Sequence, residues 1–321
     1  MSQPSATNIH IAYHLFFQSS GLIAGNEIRK KKPALAIACI LGDWLIMGSC
    51  FIILHYYWNV FIYIFLIPVI GSRMMALGVL MHDASHYLLF QNKKANTWVG
   101  EIFLAWPIFQ SLLKYRYEHF LHHEHLRTDK DTELPLEQYA TFQFPLSRYK
   151  WYSILLMDIT GINFFYYLFK KVFSKKKSTY FKHPPAKFPP YYTFYRTLYY
   201  VIVFSVIHMS GLWMEFLLFY IVPYITWFRL LFRLRGVSEH FHIPATAAFQ
   251  TRTLKLSWLE EFLFYPHNLN YHTEHHLYPA IPFFNLKRWN KSLEKENSFK
   301  KNRHQTKGLR SLFHELTLSN S

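Results

Sequence analysis

Three short clusters of histidines stand out from the rest of the chain, and their spacing suits metal binding. Side chains three and four positions apart lie on one face of a helix, so each cluster can direct its imidazoles at one point. The 321-residue chain has 19 histidines, and two copies of the pattern HxxHH exceed what that content predicts by chance. The clusters are His82-x-x-x-His86, His119-x-x-His122-His123 and His272-x-x-His275-His276.

Eight clustered imidazoles indicate more than one metal ion. A structural zinc site uses about four ligands and a catalytic one about three, so the clusters are sufficient for two metals with open positions. Imidazole binds zinc, copper, iron and nickel, and the residue types alone leave the metal open. A metal-bound imidazole also needs an acceptor for its second N–H group. The carboxylates predicted to accept are Asp83, Glu118, Asp131, Glu239 and Glu274, with Glu124 and Asp129 as further candidates.

Long apolar segments flank these clusters. Each of the first two reaches the roughly 20 residues needed to cross a hydrocarbon core of ~30 Å, and together they predict a transmembrane hairpin. A weaker pair predicts a second hairpin. The four predicted spans are residues 34–57, 60–81, 197–214 and 216–229. Residues 102–113 are too short to span and residues 151–169 are interrupted by Asp158, so both predict helices in the membrane interface.

The basic residues give these spans an orientation. The net charge is +16, and the positive clusters lie at residues 29–32, 170–177 and 287–310. With four spans, all three clusters lie on one side, and the short turns opposite contain no lysine or arginine. By the positive-inside rule that side is cytoplasmic, and it also carries the histidines. The first 30 residues lack the features of a secretory signal, which predicts that no segment is removed.

Composition excludes several other classes of protein. A chain with 51% hydrophobic residues and only two cysteines, Cys39 and Cys50, is neither disordered nor a disulfide scaffold, and it cannot supply an iron–sulfur ligand set. An apolar and basic chain indicates an anionic membrane surface and no nucleic acid. Asp43 and Arg73 lie inside the predicted spans, where charge is costly. Two interpretations stay open for them, a structural ion pair and a role in the substrate path.

The three clusters together resemble the membrane fatty acid desaturase family. The third is embedded in Asn270-Tyr271-His272-Thr273-Glu274-His275-His276-Leu277-Tyr278-Pro279, and the resemblance covers roughly residues 35 to 290. It implies a four-span helical fold with a cytoplasmic di-iron centre held by histidines. That centre activates O₂ to remove hydrogen from an unactivated acyl chain.

The resemblance also implies a ninth ligand, a histidine a few tens of residues before the third cluster. His240 holds that position here, with His242 and His267 as alternatives. Some relatives carry an asparagine one helical turn earlier that holds a metal-bound water, but Gly236 stands at that place. The group that holds the water is therefore unassigned, with Asn268 and Asn270 as candidates. The implied ligand set is His82, His86, His119, His122, His123, His240, His272, His275 and His276.

The predicted fold is an all-α integral membrane protein, multi-pass, with four transmembrane helices in two hairpins, interfacial helices and a cytoplasmic histidine-rich cap. The predicted domains are a polar and basic N-terminal segment (residues 1–33), a membrane domain (34–290) and a basic C-terminal tail (291–321). The membrane would be a bacterial inner membrane or the endoplasmic reticulum.

The predicted function is O₂-dependent desaturation of a fatty acyl chain linked to a lipid, to coenzyme A or through an amide. Two iron ions would be the cofactors. Two electrons would come from an external donor of ferredoxin or cytochrome b5 type, because the sequence contains no haem or dinucleotide motif and no cysteine cluster.

Three alternatives remain. A lipid hydroxylase or a carotenoid-type ketolase would use the same iron site with a different outcome. A zinc-dependent membrane hydrolase would work without O₂, although the chain has no HExxH motif. A transporter that uses histidines as a proton relay would carry them near the middle of the bilayer, whereas these clusters flank the predicted spans.

Overall fold

The computed structural model describes residues 25–128, 130–133, 141–173, 188–244 and 246–317. This part of the chain is mostly helical. Its α-helices are α1 (Asn26–Arg29), α2 (Pro33–Tyr56), α3 (Val60–Ser85), α4 (Lys93–Val99), α5 (Leu112–His125), α6 (Arg148–Ile159), α7 (Ile162–Phe173), α8 (Pro190–Ser210), α9 (Trp213–Glu215), α10 (Arg229–His240), α11 (Trp258–Phe264), α12 (His272–Leu277), α13 (Phe283–Leu293), α14 (Asn297–Asn302) and α15 (Gly308–Glu315). Gly100–Ala105, Phe216–Ile221 and Tyr224–Phe228 are π-helical, Pro266–Asn268 is a 3₁₀ turn, and the strands are β1 (Arg252–Lys255) and β2 (His304–Lys307).

Helices α2 and α3 lie at the first two predicted spans. Asn59 caps α3, since its side chain accepts hydrogen bonds from the N–H groups of Phe61 and Ile62. The N-terminal half of α3 exposes large apolar side chains such as Phe65, whereas every residue from Ile70 to Ser85 is buried. The helix therefore presents apolar surface at its start and enters the protein interior at its end, where the first histidine cluster lies.

A second long helix, Trp213–His240, crosses α3 closely at Gly71. It runs through α9, the two π-helical stretches and α10. A Cβ atom added at Gly71 would lie 2.8 Å from Cβ of Trp227 and 3.0 Å from the backbone nitrogen of Phe228. Only glycine allows this approach, which sets how the ends of the two helices meet.

Three described helices are long and apolar enough to cross a membrane: Asn26–Tyr56, Val60–Ser85 and Trp213–His240. They contain most of the first, second and fourth predicted spans. The third predicted span lies mostly in α8, which is less apolar because it contains Arg196 and several tyrosines, and the structure does not confirm it as a span. Helices α6 and α7 cover the predicted interfacial stretch 151–169 and meet at 86°, around Gly161 with φ of +77°. Counted as one span, this bent pair would be a fourth.

A two-stranded parallel sheet departs from the all-α prediction. Strand β1 pairs with β2, with Arg252 opposite His304 and Lys255 opposite Lys307. Four-residue polar segments carry too little hydrophobic periodicity to be recognised as strands in a sequence. The pairing joins part of the predicted C-terminal tail to the segment that precedes the third histidine cluster. Residues 1–24 of the predicted N-terminal segment, Asp129 and the lysines at 175–177 lie outside the described residues.

Asp43 and Arg73 form a buried ion pair, one of the two interpretations of these residues. Nη1 of Arg73 lies 2.9 Å from Oδ1 of Asp43. The second carboxylate oxygen lies 2.7 Å from Nε2 of His267, and Arg73 also donates to the backbone carbonyl of Phe262. The pair thus connects α2 and α3 with the segment just before the third histidine cluster.

Candidate metal centre

Four elements carry the predicted ligand histidines: the end of α3, helix α5, the end of α10 and helix α12. Arg116 of α5 donates to the carbonyls of Ala84 and Ser85 at 3.0 and 2.9 Å, which fixes α5 against the end of α3. The buried carboxylate of Glu101 accepts the N–H groups of Leu112 and Leu113 at 3.1 and 2.9 Å and so caps the start of α5. These contacts set the first and second histidine clusters side by side.

Strand β1 places the other two elements. Arg252 donates to the carbonyls of Ser238 and Phe241 at 2.8 and 3.1 Å, where α10 ends beside His240. The next residue, Thr253, donates its hydroxyl to Glu274 at 2.8 Å and so holds α12. Asn290 donates to the same carboxylate from α13. Glu274 therefore positions the third cluster through its backbone.

The structure brings all nine predicted histidines together, in two clusters. In each cluster the ring nitrogens lie within 4.8 Å of one another. The five-histidine cluster is His82, His86, His119, His123 and His275, and the four-histidine cluster is His122, His240, His272 and His276. His240 is thus inside a cluster, whereas His242 is exposed and His267 contacts Asp43.

Neighbouring histidines in the sequence go to different clusters. His122 belongs to the four-histidine cluster and His123 to the other, and the same split separates His276 from His275. Successive side chains of an α-helix are about 100° apart, so one imidazole of each pair points to either side. The doubled histidine of the HxxHH pattern therefore joins two adjacent sites.

Within each cluster the imidazole nitrogens converge. In the five-histidine cluster, Nε2 of His275 lies 3.0 Å from Nε2 of both His82 and His123. In the four-histidine cluster, Nε2 of His240 lies 3.0 Å from that of His122 and 2.8 Å from that of His272. Among the described residues, the buried Nε2 atoms of His86 and His276 have no hydrogen-bond partner. Converging and unpartnered lone pairs of this kind fit cations.

Protonation supports the same reading, because a metal ligand must be a neutral imidazole. Burial, with a smaller contribution from Arg116, lowers the pKa of His86 to about 3. Burial and the neighbouring histidines also lower the pKa of His119, His123 and His275 well below the usual value. The same causes act on His272 and His276. These rings are neutral at physiological pH, so the donor set fits two iron ions.

His122 is the exception. Burial alone would lower its pKa, but the carboxylates of Glu133 and Asp131 outweigh that effect and raise the pKa of His122 to about 9. A bound cation would displace this proton, since it takes the same lone pair.

Three of the five predicted carboxylates face a ligand histidine. Asp131 accepts a hydrogen bond from Nδ1 of His122 at 2.8 Å. Glu239 lies 3.4 Å from Nδ1 of His272 and also pairs with Arg235 at 2.9 Å. Oδ1 of Asp83 lies 3.5 Å from Nδ1 of His82. Asp131 is thus hydrogen-bonded to His122, whereas Glu239 and Asp83 lie at longer distances from His272 and His82.

The other two predicted carboxylates contact different groups. Glu118 is 35% exposed and pairs with Lys114 at 3.6 Å on the surface of α5. Glu274 holds α12 through Thr253 and Asn290, as described above. Both lie next to a cluster histidine in the sequence, but their side chains leave the helix on other faces.

The sequence did not single out Glu133. Its carboxylate forms a third group of possible ligands with Glu239 and His240, and Oε2 lies 3.9 Å from Nε2 of His122. It follows Asp131 by two positions in the turn after α5, so its nearness to Asp131 was the available signal. Loop residues have no helical period from which a direction could be inferred.

Two comparisons with known proteins agree on one family. The family model described as fatty acid desaturase matches residues 56–305, a range that includes all nine histidines. The dihydrorhizobitoxine desaturase of Bradyrhizobium elkanii is 28% identical over 277 residues, which cover 81% of this chain and 77% of that protein. Both comparisons point to the family that the three histidine clusters resemble in sequence.

Proposed function

The chain belongs to the fatty acid desaturase family and is an oxidoreductase, and we propose that it desaturates a fatty acyl chain at a histidine-held di-iron centre. The single observation that carries the proposal is the convergence of nine imidazoles in two adjacent clusters. Bound iron would supply the O₂-dependent oxidation of an alkyl chain, which no side-chain acid or base can perform.

The reaction balances with an external donor. The substrate gives up two hydrogens as a C–C single bond becomes a double bond, and O₂ is reduced to two waters. Two further electrons come from a ferredoxin or cytochrome b5 type protein, and two protons come from solvent. The basic residues at 287–310 are a suitable docking surface for an acidic donor.

The protein's own residues position the metals. The five-histidine cluster would hold one iron and the four-histidine cluster the other. Asp131, Glu239 and Asp83 would accept the second N–H of His122, His272 and His82 and so keep those rings oriented. Seven of the nine histidines are buried, which would keep bulk water away from the metals.

We further propose a multi-pass arrangement with the active site on the cytoplasmic side. Three helices with apolar surfaces, and a fourth span from α8 or the bent pair α6 and α7, would cross the bilayer. With α8 as the fourth span, the three basic clusters and the histidine clusters would share the cytoplasmic face, as the positive-inside rule requires, whereas the bent pair as a span would leave residues 170–177 on the opposite side.

A cavity whose lining includes Tyr87 suits an acyl lipid. Its volume is about 1030 Å³, and it is lined by the aromatic side chains of Tyr87, Trp98 and Tyr192 together with Lys93 and Lys94. Tyr87 directly follows His86 of the five-histidine cluster. Apolar rings would contact the chain, and the lysines would contact an anionic head group.

The named substrate of the relative gives a second candidate. That protein is a dihydrorhizobitoxine desaturase, and it matches this chain over most of its length. Desaturation of dihydrorhizobitoxine uses the same reaction class and the same centre, so the two candidates differ only in what enters the cavity.

The test combines metal analysis with product analysis. We expect about two irons per chain in the detergent-purified protein. Cells that make it should contain an O₂-dependent product about two mass units lighter than its acyl precursor. Cells that make His122→Ala are the control. A product about sixteen mass units heavier would indicate a hydroxylase instead, and one zinc with no O₂-dependent change would contradict both. Purified enzyme supplied with O₂, an electron donor of ferredoxin or cytochrome b5 type and either dihydrorhizobitoxine or an acyl lipid separates the two candidate substrates.

A further inference from the structure

The four-histidine cluster has one imidazole fewer than its neighbour, and a carboxylate lies beside it. Oε2 of Glu133 is 3.9 Å from Nε2 of His122. A carboxylate oxygen of Glu133 also lies within 4.8 Å of a ring nitrogen of His240. Two atoms that each lie about 2.1 Å from one metal are at most about 4.2 Å apart. The contact with His122 therefore fits two ligands of the same ion.

The other carboxylate beside this cluster, Glu239, and the amide nitrogens of Asn268 and Asn270 have partners elsewhere. Glu239 is buried, pairs with Arg235 at 2.9 Å and faces Nδ1 of His272. The amide of Asn268 donates to the carbonyl of Phe283, and the amide of Asn270 donates to the carbonyl of Leu254.

The space that an asparagine would occupy in some relatives is open here. Gly236 lies one turn before His240, on the same face of α10. No described atom lies within 4 Å of a Cβ added at Gly236. The cluster thus lacks a polar side chain from α10 at this point, and the nearby carboxylate of Glu133 comes from a different element.

The turn after α5 is built to hold Glu133 near the cluster. The Asp131 carboxylate accepts the backbone N–H groups of Arg127 and Glu133 at 2.8 and 2.9 Å, as well as Nδ1 of His122. One side chain therefore fixes both the ring of His122 and the backbone of Glu133. The Glu133 side chain is 32% exposed, so it has room to change rotamer toward the histidines.

We propose that the Glu133 carboxylate is the fifth protein ligand of the metal held by the four-histidine cluster. The inference rests on the proposed two-metal centre and extends it. It gives each metal five protein ligands, five imidazoles at one and four imidazoles with one carboxylate at the other. The anionic ligand makes the two metals chemically unequal.

Cobalt(II) binding to the metal-depleted, full-length protein in detergent tests this without substrate, O₂ or donor. We expect Glu133→Ala and Glu133→Gln to lower the affinity for one of the two Co(II) ions by at least about ten-fold. The visible absorption of that ion should also change, because its ligand set changes. Glu133→His should restore the affinity, and its visible absorption should indicate a nitrogen ligand in place of an oxygen ligand.

Glu124→Ala is the matched control. Glu124 directly follows His123 and was a further candidate acceptor from the sequence, but its side chain is 70% exposed and it belongs to none of the groups of possible metal ligands. This variant should therefore keep both affinities and the spectrum. An unchanged Co(II) titration in Glu133→Ala would overturn the proposal. Weaker binding with an unchanged spectrum would overturn it too, because the carboxylate would then act only through its charge. If the protein does not desaturate acyl chains but its cobalt spectrum depends on Glu133, the proposed function is refuted. The assignment of Glu133 as a metal ligand is then still supported.

Discussion

At the scale of single residues, the doubled histidines connect the two clusters. His275 and His276 are neighbours in sequence but belong to the five-histidine and the four-histidine cluster, respectively. Both side chains are buried, and replacing either one would remove a proposed ligand from a different cluster. Substitutions at these two positions can therefore separate the sites, which activity alone cannot do when both metals are needed.

We expect His275→Ala and His276→Ala each to lower bound iron from about two to about one per chain and to abolish desaturation. Ligands of one site act as a unit, so their losses are not additive. The double variant of His276→Ala with His240→Ala should retain about one iron, because both residues serve the same cluster. The double variant of His276→Ala with His82→Ala should lose both.

Metal analysis of the four purified variants checks this assignment. His125→Ala is the control, since His125 lies on α5 after the second cluster but in neither metal-binding group. Equal iron loss in His125→Ala would show that the wrong residue of α5 had been chosen. Equal metal content in the two double variants would contradict the division into two sites.

The convergence of the eight clustered histidines could be predicted from sequence because helical spacing fixes their direction, and the family resemblance indicated His240. Carboxylates were less predictable. Asp131, Glu239 and Asp83 do face ligand histidines, but Glu118 pairs with Lys114 and Glu274 holds α12. Glu133 was not predicted, because it lies in a turn whose conformation depends on hydrogen bonds to Asp131. A carboxylate close in sequence to a cluster histidine also lies near it in space. Its position in the sequence does not tell which face of the helix its side chain leaves.

At the scale of elements, the crossing of α3 with Trp213–His240 sets the distance between the two helix ends that carry histidines. This contact depends on the missing side chain at Gly71, which faces Trp227 and Phe228. Because α3 ends at the first histidine cluster and the other helix ends at His240, a change in their separation would be transmitted to both metal sites.

We expect Gly71→Ala to destabilise the protein by about 1 to 3 kcal/mol, the usual cost of adding atoms to a tightly packed contact. Bound iron should fall with stability. Thermal unfolding in detergent and metal analysis measure both effects. Gly48→Ala is the matched control, since Gly48 lies in α2 and no described atom lies within 4 Å of an added Cβ there. Equal unfolding temperatures for both variants would contradict the role of the crossing.

Helices α2 and α3 were predictable because two long apolar runs are separated by a short turn. The structure begins its helices at Pro33 and Val60, close to the predicted starts. The bend between α6 and α7 was not, since one positive φ at Gly161 turns the chain by 86° without any change in hydropathy. Strands β1 and β2 were missed because pairing across distant segments leaves no local pattern.

At the scale of the whole molecule, the metal centre gathers elements that are far apart in the chain. His82 and His275 are 193 residues apart, and His122 and His240 are 118 residues apart. In the absence of a metal, the buried ring nitrogens face one another with few polar partners. Metal ions would turn these contacts from unfavourable to favourable, so their binding free energy becomes part of the folding free energy.

We therefore expect removal of iron by a chelator to lower the unfolding temperature. A ligand present at 100 times its dissociation constant stabilises the folded state by about 2.7 kcal/mol, and two such sites contribute about twice that amount. Thermal unfolding of the detergent-purified protein with and without chelator measures the effect, and added iron should reverse it. The double variant of His82→Ala with His276→Ala loses a ligand from each cluster, so the chelator should not change its unfolding temperature. An identical unfolding temperature for the iron-loaded and chelated protein would show that the nine histidines fold together without metal, and the two clusters would then need a different explanation.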